Sequence, residues 1–405
     1  MQKPKVSQFE FVALMAFLMS VVALAIDALL PALDIIGNSL NTQEAADNQL
    51  LITMIFVGLG FGPLLFGPIS DSLGRKPLVF VGFGIFIIAS FICVYAESLE
   101  IMILGRILQG VGLSAPRTIS IAIIRDMYSG DYMAKIMSFV IVIFLLVPII
   151  APALGKFILD HYNWKAIFYM QIGFCLLIAF WFWKRQPETL TDENRIKFNS
   201  NLFTDGFIEL IRYRKTIAYT LISGFVTGSF MVYLSSSQQV FQEQYDLKEA
   251  FPYIFAGLAT SSGAAILLNG FFVVKYGMKK IINFAIIGFF AISLLYILLF
   301  WNSPNPNIEV LLVFFIIQFF FLGFLFGNLR AIAMQPVGHI AGIAAAITGL
   351  ISTLMAVPIS IFIGRYVEDT ALPLFIGFSV CSLLSIFIIS ALKLKESKNK
   401  KTTPL

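Results

Sequence analysis

The chain has 405 residues, of which 59% are hydrophobic and 13% charged, with a formal net charge of +5. Soluble domains carry about 25% charged residues, so this composition excludes a water-soluble globule. Cys93, Cys175 and Cys381 each lie inside an apolar run, and His161 and His339 lie in or near loops, so no metal-ligand spacing arises. No phosphate loop or nucleophile elbow is present either, so neither ATP-driven pumping nor membrane enzymology is expected.

Crossing a bilayer takes roughly 20 mostly apolar residues. Twelve runs qualify, near 9–33, 48–70, 78–96, 99–125, 134–159, 165–183, 216–241, 250–274, 281–300, 309–335, 340–362 and 371–392. Backbone groups cannot stay unsatisfied in lipid, and short alternating strands are lacking, so the runs read as helices rather than a barrel. The first has no small-residue cleavage site and reads as a span rather than a removed signal peptide. With the N-terminus inside, 21 of the 28 Lys and Arg fall on the cytoplasmic side. This is the positive-inside pattern; the basic excess encodes topology, not nucleic-acid binding, and both termini are cytoplasmic.

In chain order, the first span holds the one clear intramembrane acid, Asp27, followed by Leu30-Pro31-Ala32-Leu33. An acid in lipid costs about 2.5–3.5 kcal/mol on insertion scales and is a functional candidate by default. If the span ends at Leu33, Asp27 lies roughly 9 Å from that end, and Arg106 lies about 10 Å from the start of the fourth span at Leu99. The two can pair at equal depth. A carboxyl holds its proton more tightly when it loses water and less tightly when a cation approaches, so Asp27 and Arg106 are candidates for proton coupling. A static buried ion pair, or an Asp hydrating a vestibule, remains the alternative.

The second span ends in Gly67-Pro68-Ile69-Ser70-Asp71-Ser72-Leu73-Gly74-Arg75-Lys76. Gly67, Asp71, Gly74, Arg75 and Lys76 form a candidate gating loop, in which Asp71 can accept from a helix N-terminus or a nearby cation. Such a loop in a twelve-span chain points to a transporter that rocks between two states. In the fourth span Gln109 shares a face with Arg106, Gly110 permits close helix approach, and Arg117 lies deeper, suited to an anionic substrate group, a helix contact or proton coupling. In the fifth span Pro148 and Pro152, with Ala151 and Gly155, make a hinge, a leak seal or a simple proline kink. Phe225 and Tyr233 of the seventh span join Gln109 and Arg117 as candidate lining of a substrate cavity.

Residues 184–215 are the longest polar stretch, and Asn201 to Tyr213 fits a short amphipathic helix with Leu202, Phe203, Phe207 and Leu210 as its apolar face. The expected organisation is a six-helix bundle over 1–183, a cytoplasmic linker over 184–215, a second six-helix bundle over 216–392 and a basic tail over 393–405. Gly110 with Arg117 and Gly323 with Arg330 share one spacing, and Gly74-Arg75-Lys76 is echoed by Gly277-Met278-Lys279-Lys280, which reads as a weak repeat of the two halves.

These residues resemble the major facilitator superfamily over essentially the whole chain, and more closely its drug:proton antiporters of the bicyclomycin and chloramphenicol resistance type. The loop at Asp71 to Lys76 is similar to the superfamily signature. Asp27 with Leu30-Pro31-Ala32-Leu33, Arg106 with Gln109 and Gly110, and Ala151-Pro152-Ala153-Leu154-Gly155 resemble signatures of helices one, four and five. Trp164-Lys165-Ala166-Ile167-Phe168, Pro187-Glu188-Thr189-Leu190, and Gln335-Pro336 with Ala341-Gly342-Ile343-Ala344-Ala345-Ala346 resemble three more. Ser72 stands where a cation is usual and Lys156 where the second glycine is usual. The helix-one stretch after Glu10 lacks a second acid, which favours neutral or anionic cargo over bulky cations.

The resemblance implies an all-α polytopic fold of twelve transmembrane helices in two pseudo-symmetric six-helix bundles. It implies a proton-coupled exporter of drug-like molecules working by alternating access, with substrate bound between the halves, in a bacterial inner membrane. Its partners would be a small-molecule substrate, protons and the lipid bilayer, without cofactor, metal or nucleic acid, and the chain would act as a monomer. Export of an endogenous siderophore or metabolite, and uptake by proton symport, are the alternatives on the same fold.

Overall fold

The computed structural model describes residues 7–128, 130–191, 195 and 201–402, and among them twelve helices are long and apolar enough to cross a membrane. All regular structure in the described residues is helical. The chain forms two compact units. One comprises Met1–Asn201 and Leu247–Ala256, the other Leu202–Asp246 and Gly257–Leu405.

The first unit opens with α1 (Gln8–Asp27), where Ser7 caps the helix by accepting from the Glu10 backbone N–H at 3.2 Å. The helix ends at Asp27 for a chemical reason. Pro31 lies four residues on, and a proline ring excludes the carbonyl four residues before it while offering no N–H to bond it. The chain then takes one 3-10 turn at Leu30–Ala32 and resumes as α2 (Leu33–Ser39). The first span therefore runs Gln8–Ser39, past the expected end at Leu33. Asp27 then lies roughly 18 Å from the Ser39 end by helical rise, deeper than the sequence suggested.

After it come α3 (Ala45–Leu73), α4 (Arg75–Val94), α5 (Leu99–Met127), α6 (Gly130–His161) and α7 (Lys165–Arg185). α3 packs closely on α5. A Cβ on Gly58 would collide with the Ile107 carbonyl, and one on Gly110 with the Ile55 carbonyl, so two glycines bring these backbones together. α6 runs unbroken through Pro148 and Pro152.

The second unit begins with α8 (Asn201–Arg212), followed by α9 (Arg214–Gln238), α10 (Phe251–Tyr276), whose first residues group with the first unit, α11 (Met278–Phe300), α12 (Ile308–Met334), α13 (Ala341–Gly364) and α14 (Leu372–Thr402). α8 carries three faces. Gly206 and Leu210 are buried, with Gly206 against Ile343 of α13; Phe207, Ile208 and Ile211 are exposed; and Asp205, Glu209 and Arg212 form a polar side. Of the expected apolar face, Leu210 thus packs on protein while Phe207 faces outward, and the side chains of Leu202 and Phe203 lie outside the described residues.

Candidate functional site

The centre of the first unit is Arg106, fully buried on α5. Its Nε donates to the Leu51 carbonyl of α3 at 2.6 Å, and Nη1 donates to the Ala25 carbonyl of α1 at 3.1 Å and to Gln109 Oε1 at 2.7 Å. The Gln109 amide in turn donates to Ser90 Oγ of α4 at 2.8 Å, and that hydroxyl donates to the Phe86 carbonyl at 2.7 Å. On α7, Gln171 donates to the Leu24 carbonyl of α1 at 3.5 Å. One guanidinium therefore ties three helices directly and a fourth through Gln109, as its planar fork of five donors permits and a lysine would not. Its Nη2 is buried without a partner, as is Gln171 Oε1.

Asp27 lies 5% exposed at the break after α1. Arg106 reaches α1 half a turn earlier, at the Ala25 carbonyl, and makes no ion pair with Asp27. The expected acid–cation pair is therefore absent from this conformation: Nε and Nη1 are committed to carbonyls and Gln109, and the unbonded Nη2 makes no hydrogen bond to Asp27. The Asp27 carboxyl makes no hydrogen bond or ion pair among the described residues. α6 packs closely on the turn after it, since a Cβ on Gly155 would strike the carbonyl of Ala28, the residue after Asp27. Ala151 and Pro152 are buried on the same helix and Pro148 is half-buried. Gly155 of α6 thus sits directly on the turn that follows the acid.

The α3–α4 turn carries a second polar cluster. Gly74 adopts φ +114°, a conformation that side chains disfavour, and a Cβ there would lie 2.8 Å from Glu188 Oε2. Glu188 Oε1 accepts from the backbone N–H groups of Arg75 (3.0 Å), Thr189 (2.9 Å) and Leu190 (2.9 Å), and Oε2 from that of Lys76 (2.9 Å). A carboxylate thus caps the N-terminus of α4, where the helix dipole favours negative charge. The Arg75 side chain pairs with Asp71 at 2.5 Å and with Asp126 of α5 at 3.0 Å, and it donates to Ser70 Oγ at 2.8 Å. Thr189 Oγ1 donates to the same Asp126 oxygen at 3.1 Å. Lys76 Nζ donates to the Trp183 and Gln186 carbonyls, both at 2.8 Å, at the C-terminal end of α7. The latch therefore joins α3, α4, α5 and the segment after α7. Gly67 contributes its carbonyl to Ser70 Oγ at 2.8 Å, with open space where its Cβ would be.

The second unit repeats half of the Arg106 arrangement. Gln318 of α12 donates to Ser293 Oγ of α11 at 2.6 Å and to the Phe289 carbonyl at 3.2 Å, and Ser293 donates to the Phe289 carbonyl at 2.7 Å. This is the Gln109–Ser90–Phe86 motif again. Superposing Gln318 on Gln109 places Phe315 on Arg106, Gly323 on Ser114 and Arg330 on Ile121. Contacts agree with that register, since Gly323 meets Ser262 and Ala265 of α10 just as Ser114 meets Gly62 of α3. The repeat expected from Gly110 with Gly323 and Arg117 with Arg330 is therefore out of register.

Of the four residues expected to line a cavity, Gln109 is fully buried and committed to Arg106 and Ser90. Tyr233 is 1% exposed, its ring 4.5 Å from Phe319 and 5.3 Å from Phe315. Arg117 and Phe225 are half-buried, and Arg330 is exposed. Ser90, Asp126 and Gln171 escaped the sequence reading. The available signal was a polar side chain within or at the end of an apolar run, which needs a partner once buried.

A fold of twelve spanning helices in two units, with an arginine staple in one and a glycine-turn latch at its edge, is that of a multi-pass transporter of small molecules. The sequence profile described as Major Facilitator Superfamily matches residues 15–357. The chain belongs to that superfamily. It is 30% identical over 373 residues to the Bacillus subtilis protein named uncharacterized MFS-type transporter YdgK, covering 89% of this chain and 90% of that one. It is 26% identical to a bicyclomycin resistance protein homolog of Haemophilus influenzae, covering 97% and 98% of the two chains. A crystal structure of the nucleoside transporter NupG superposes with a TM-score of 0.69 at 13% identity, covering 96% of this chain and 98% of that one, a likeness of fold.

Proposed function

We propose that the protein exports drug-like small molecules in exchange for protons, by alternating access, from the inner membrane of a bacterium with both termini in the cytoplasm. The observation that carries this reading is Asp27, an acid buried without a partner among the described residues at a helix break, beside the turn that Gly155 of α6 packs against and one half-turn from the Arg106 staple. Relatives whose names record bicyclomycin, multidrug and chloramphenicol resistance support export over uptake.

In this reading Asp27 takes the proton. Arg106 holds α1, α3 and α5 in the arrangement that buries Asp27, and rearrangement of the guanidinium toward the acid would release the proton. α6 blocks the leak path past Ala28. The latch around Arg75 and Glu188 holds the cytoplasmic edge of the first unit, and the chain works as a monomer.

The test is reconstitution into liposomes with an imposed proton gradient, following luminal pH while a drug panel is added. Substrate-evoked proton flux should appear and should vanish in Asp27→Asn. Flux that survives this change removes Asp27 from coupling, and net substrate movement along the proton flux rather than against it removes export.

A further inference from the structure

Lys156 is the residue that the resemblance leaves unexplained, a cation where a small residue is usual on the helix that packs on the turn after Asp27. Its Nζ lies 2.5 Å from Asp160 Oδ1, one turn on, and 3.0 Å from Glu249 Oε1 in the segment Leu247–Ala256 that leads into α10 and packs within the first unit. The Lys156 side chain is only 19% exposed, against 45% for Asp160 and 87% for Glu249. The preceding residue, Gly155, is the one whose missing side chain lets α6 touch the Ala28 carbonyl.

Two consecutive residues of one helix therefore face two different partners. Gly155 seats the helix on the turn after Asp27, and Lys156 ties the same step of the helix to Glu249, in the segment just before α10. Glycine packing supplies contact but no directional restraint. Glu249 supplies that restraint, because sliding or rotating α6 at this step would pull Nζ away from it, while Asp160, one turn on along the same helix, holds Nζ in place.

We propose that Lys156 is a positioning residue: its ion pair with Glu249 ties α6 to the segment before α10 and so holds Gly155 on the Asp27 turn, with Asp160 orienting Nζ. The proposal rests on the proton-exchange reading for its consequence, but its geometry stands independently. Ion pairs this exposed contribute little net energy. The role lies in the placement of Gly155 rather than in stability, and global unfolding should barely respond.

The test compares Lys156→Met, Lys156→Arg, Glu249→Gln and the charge swap Lys156→Glu with Glu249→Lys in full-length protein, the swap made together with Asp160→Asn so that no like charge is left one turn on. Hydrogen–deuterium exchange of the peptide covering residues 27–33 reads the seal without reference to protons. Substrate-free proton leak in liposomes reads its consequence. Lys156→Met and Glu249→Gln should each raise both by about two- to five-fold, the factor such an ion pair can supply. Lys156→Arg and the swap should return both to the native value. Native exchange in both neutralised variants overturns the proposal, as does a Lys156→Met effect that the swap fails to reverse. If the native protein shows no Asp27-dependent flux at all, the proton reading fails, while the exchange data still decide the positioning role.

Discussion

At the residue scale, Arg106 illustrates why charge alone does not describe this site. Its donors reach Leu51, Ala25 and Gln109 in three directions. Lysine keeps the charge but has a single ammonium that cannot span them. Arg106→Lys should therefore lose at least one charged hydrogen bond, of about 1.5–3 kcal/mol, which corresponds to a roughly ten- to hundredfold loss when it acts on the transition state. The measurement is substrate-driven proton flux against substrate concentration, with the loss expected in the maximal rate rather than in half-saturation. Native flux would mean that only the charge matters. Asp27 and Arg106 were legible in the sequence because an ionisable residue in an apolar run is costly and therefore conspicuous. Their failure to pair was not legible, because depth along a helix says nothing about competing backbone carbonyls. Those carbonyls belong to residues as ordinary in sequence as Ala25 and Leu51.

At the element scale, the α3–α4 turn depends on a carboxylate more than a hundred residues away. Gly74 and Gly277 occupy matching turns, with φ of +114° and +80°, yet only Gly74 has a neighbour where a Cβ would be, namely Glu188. Alanine at either position carries the backbone strain of about 1–3 kcal/mol expected for such conformations. Gly74→Ala additionally pushes against an oxygen that serves as a helix cap. Gly74→Ala should therefore lower the melting temperature in detergent more than Gly277→Ala, and it should expose the segment after α7 to protease. Equal shifts in the two variants would show that Glu188 is not seated as described. The twelve spans themselves were legible because apolar length is a property of single segments. The break after Asp27 was signalled by Pro31, yet the resumption through Ser39 was not, because α2 is short and contains Asp34 and Asn38. Pro187-Glu188-Thr189-Leu190 was visible as a motif by resemblance alone; that Glu188 caps α4 depends on tertiary proximity.

At the scale of the whole molecule, the two halves share a motif and differ in its use. The register of the repeat was hidden because the connection between α11 and α12, residues 301–307, is longer than that between α4 and α5, residues 95–98. Spacing alone matched Gly110 to Gly323, whereas the amide–hydroxyl contacts match Gln109 to Gln318. In the first unit Gln109 Oε1 accepts from Arg106; in the second the arginine position is Phe315 and Gln318 Oε1 is buried without a partner. Replacing an amide whose acceptor is already orphaned removes a desolvation penalty together with two hydrogen bonds. Replacing one whose acceptor is used leaves a buried guanidinium further unsatisfied. The serines lose nothing essential in either case, since Ser90 and Ser293 still donate to the Phe86 and Phe289 carbonyls. Methionine matches glutamine in length and volume, so packing is comparable. Gln318→Met should thus change stability by less than about 1 kcal/mol and leave transport intact. Gln109→Met should destabilise by about 1–3 kcal/mol, the cost of leaving a buried polar group unpaired, and should depress proton-coupled flux. Thermal unfolding in detergent and flux in liposomes, measured on the two variants side by side, decide the matter. Equal losses would mean that both amides serve only as helix staples, and that the division of labour read from Arg106 and Phe315 does not exist.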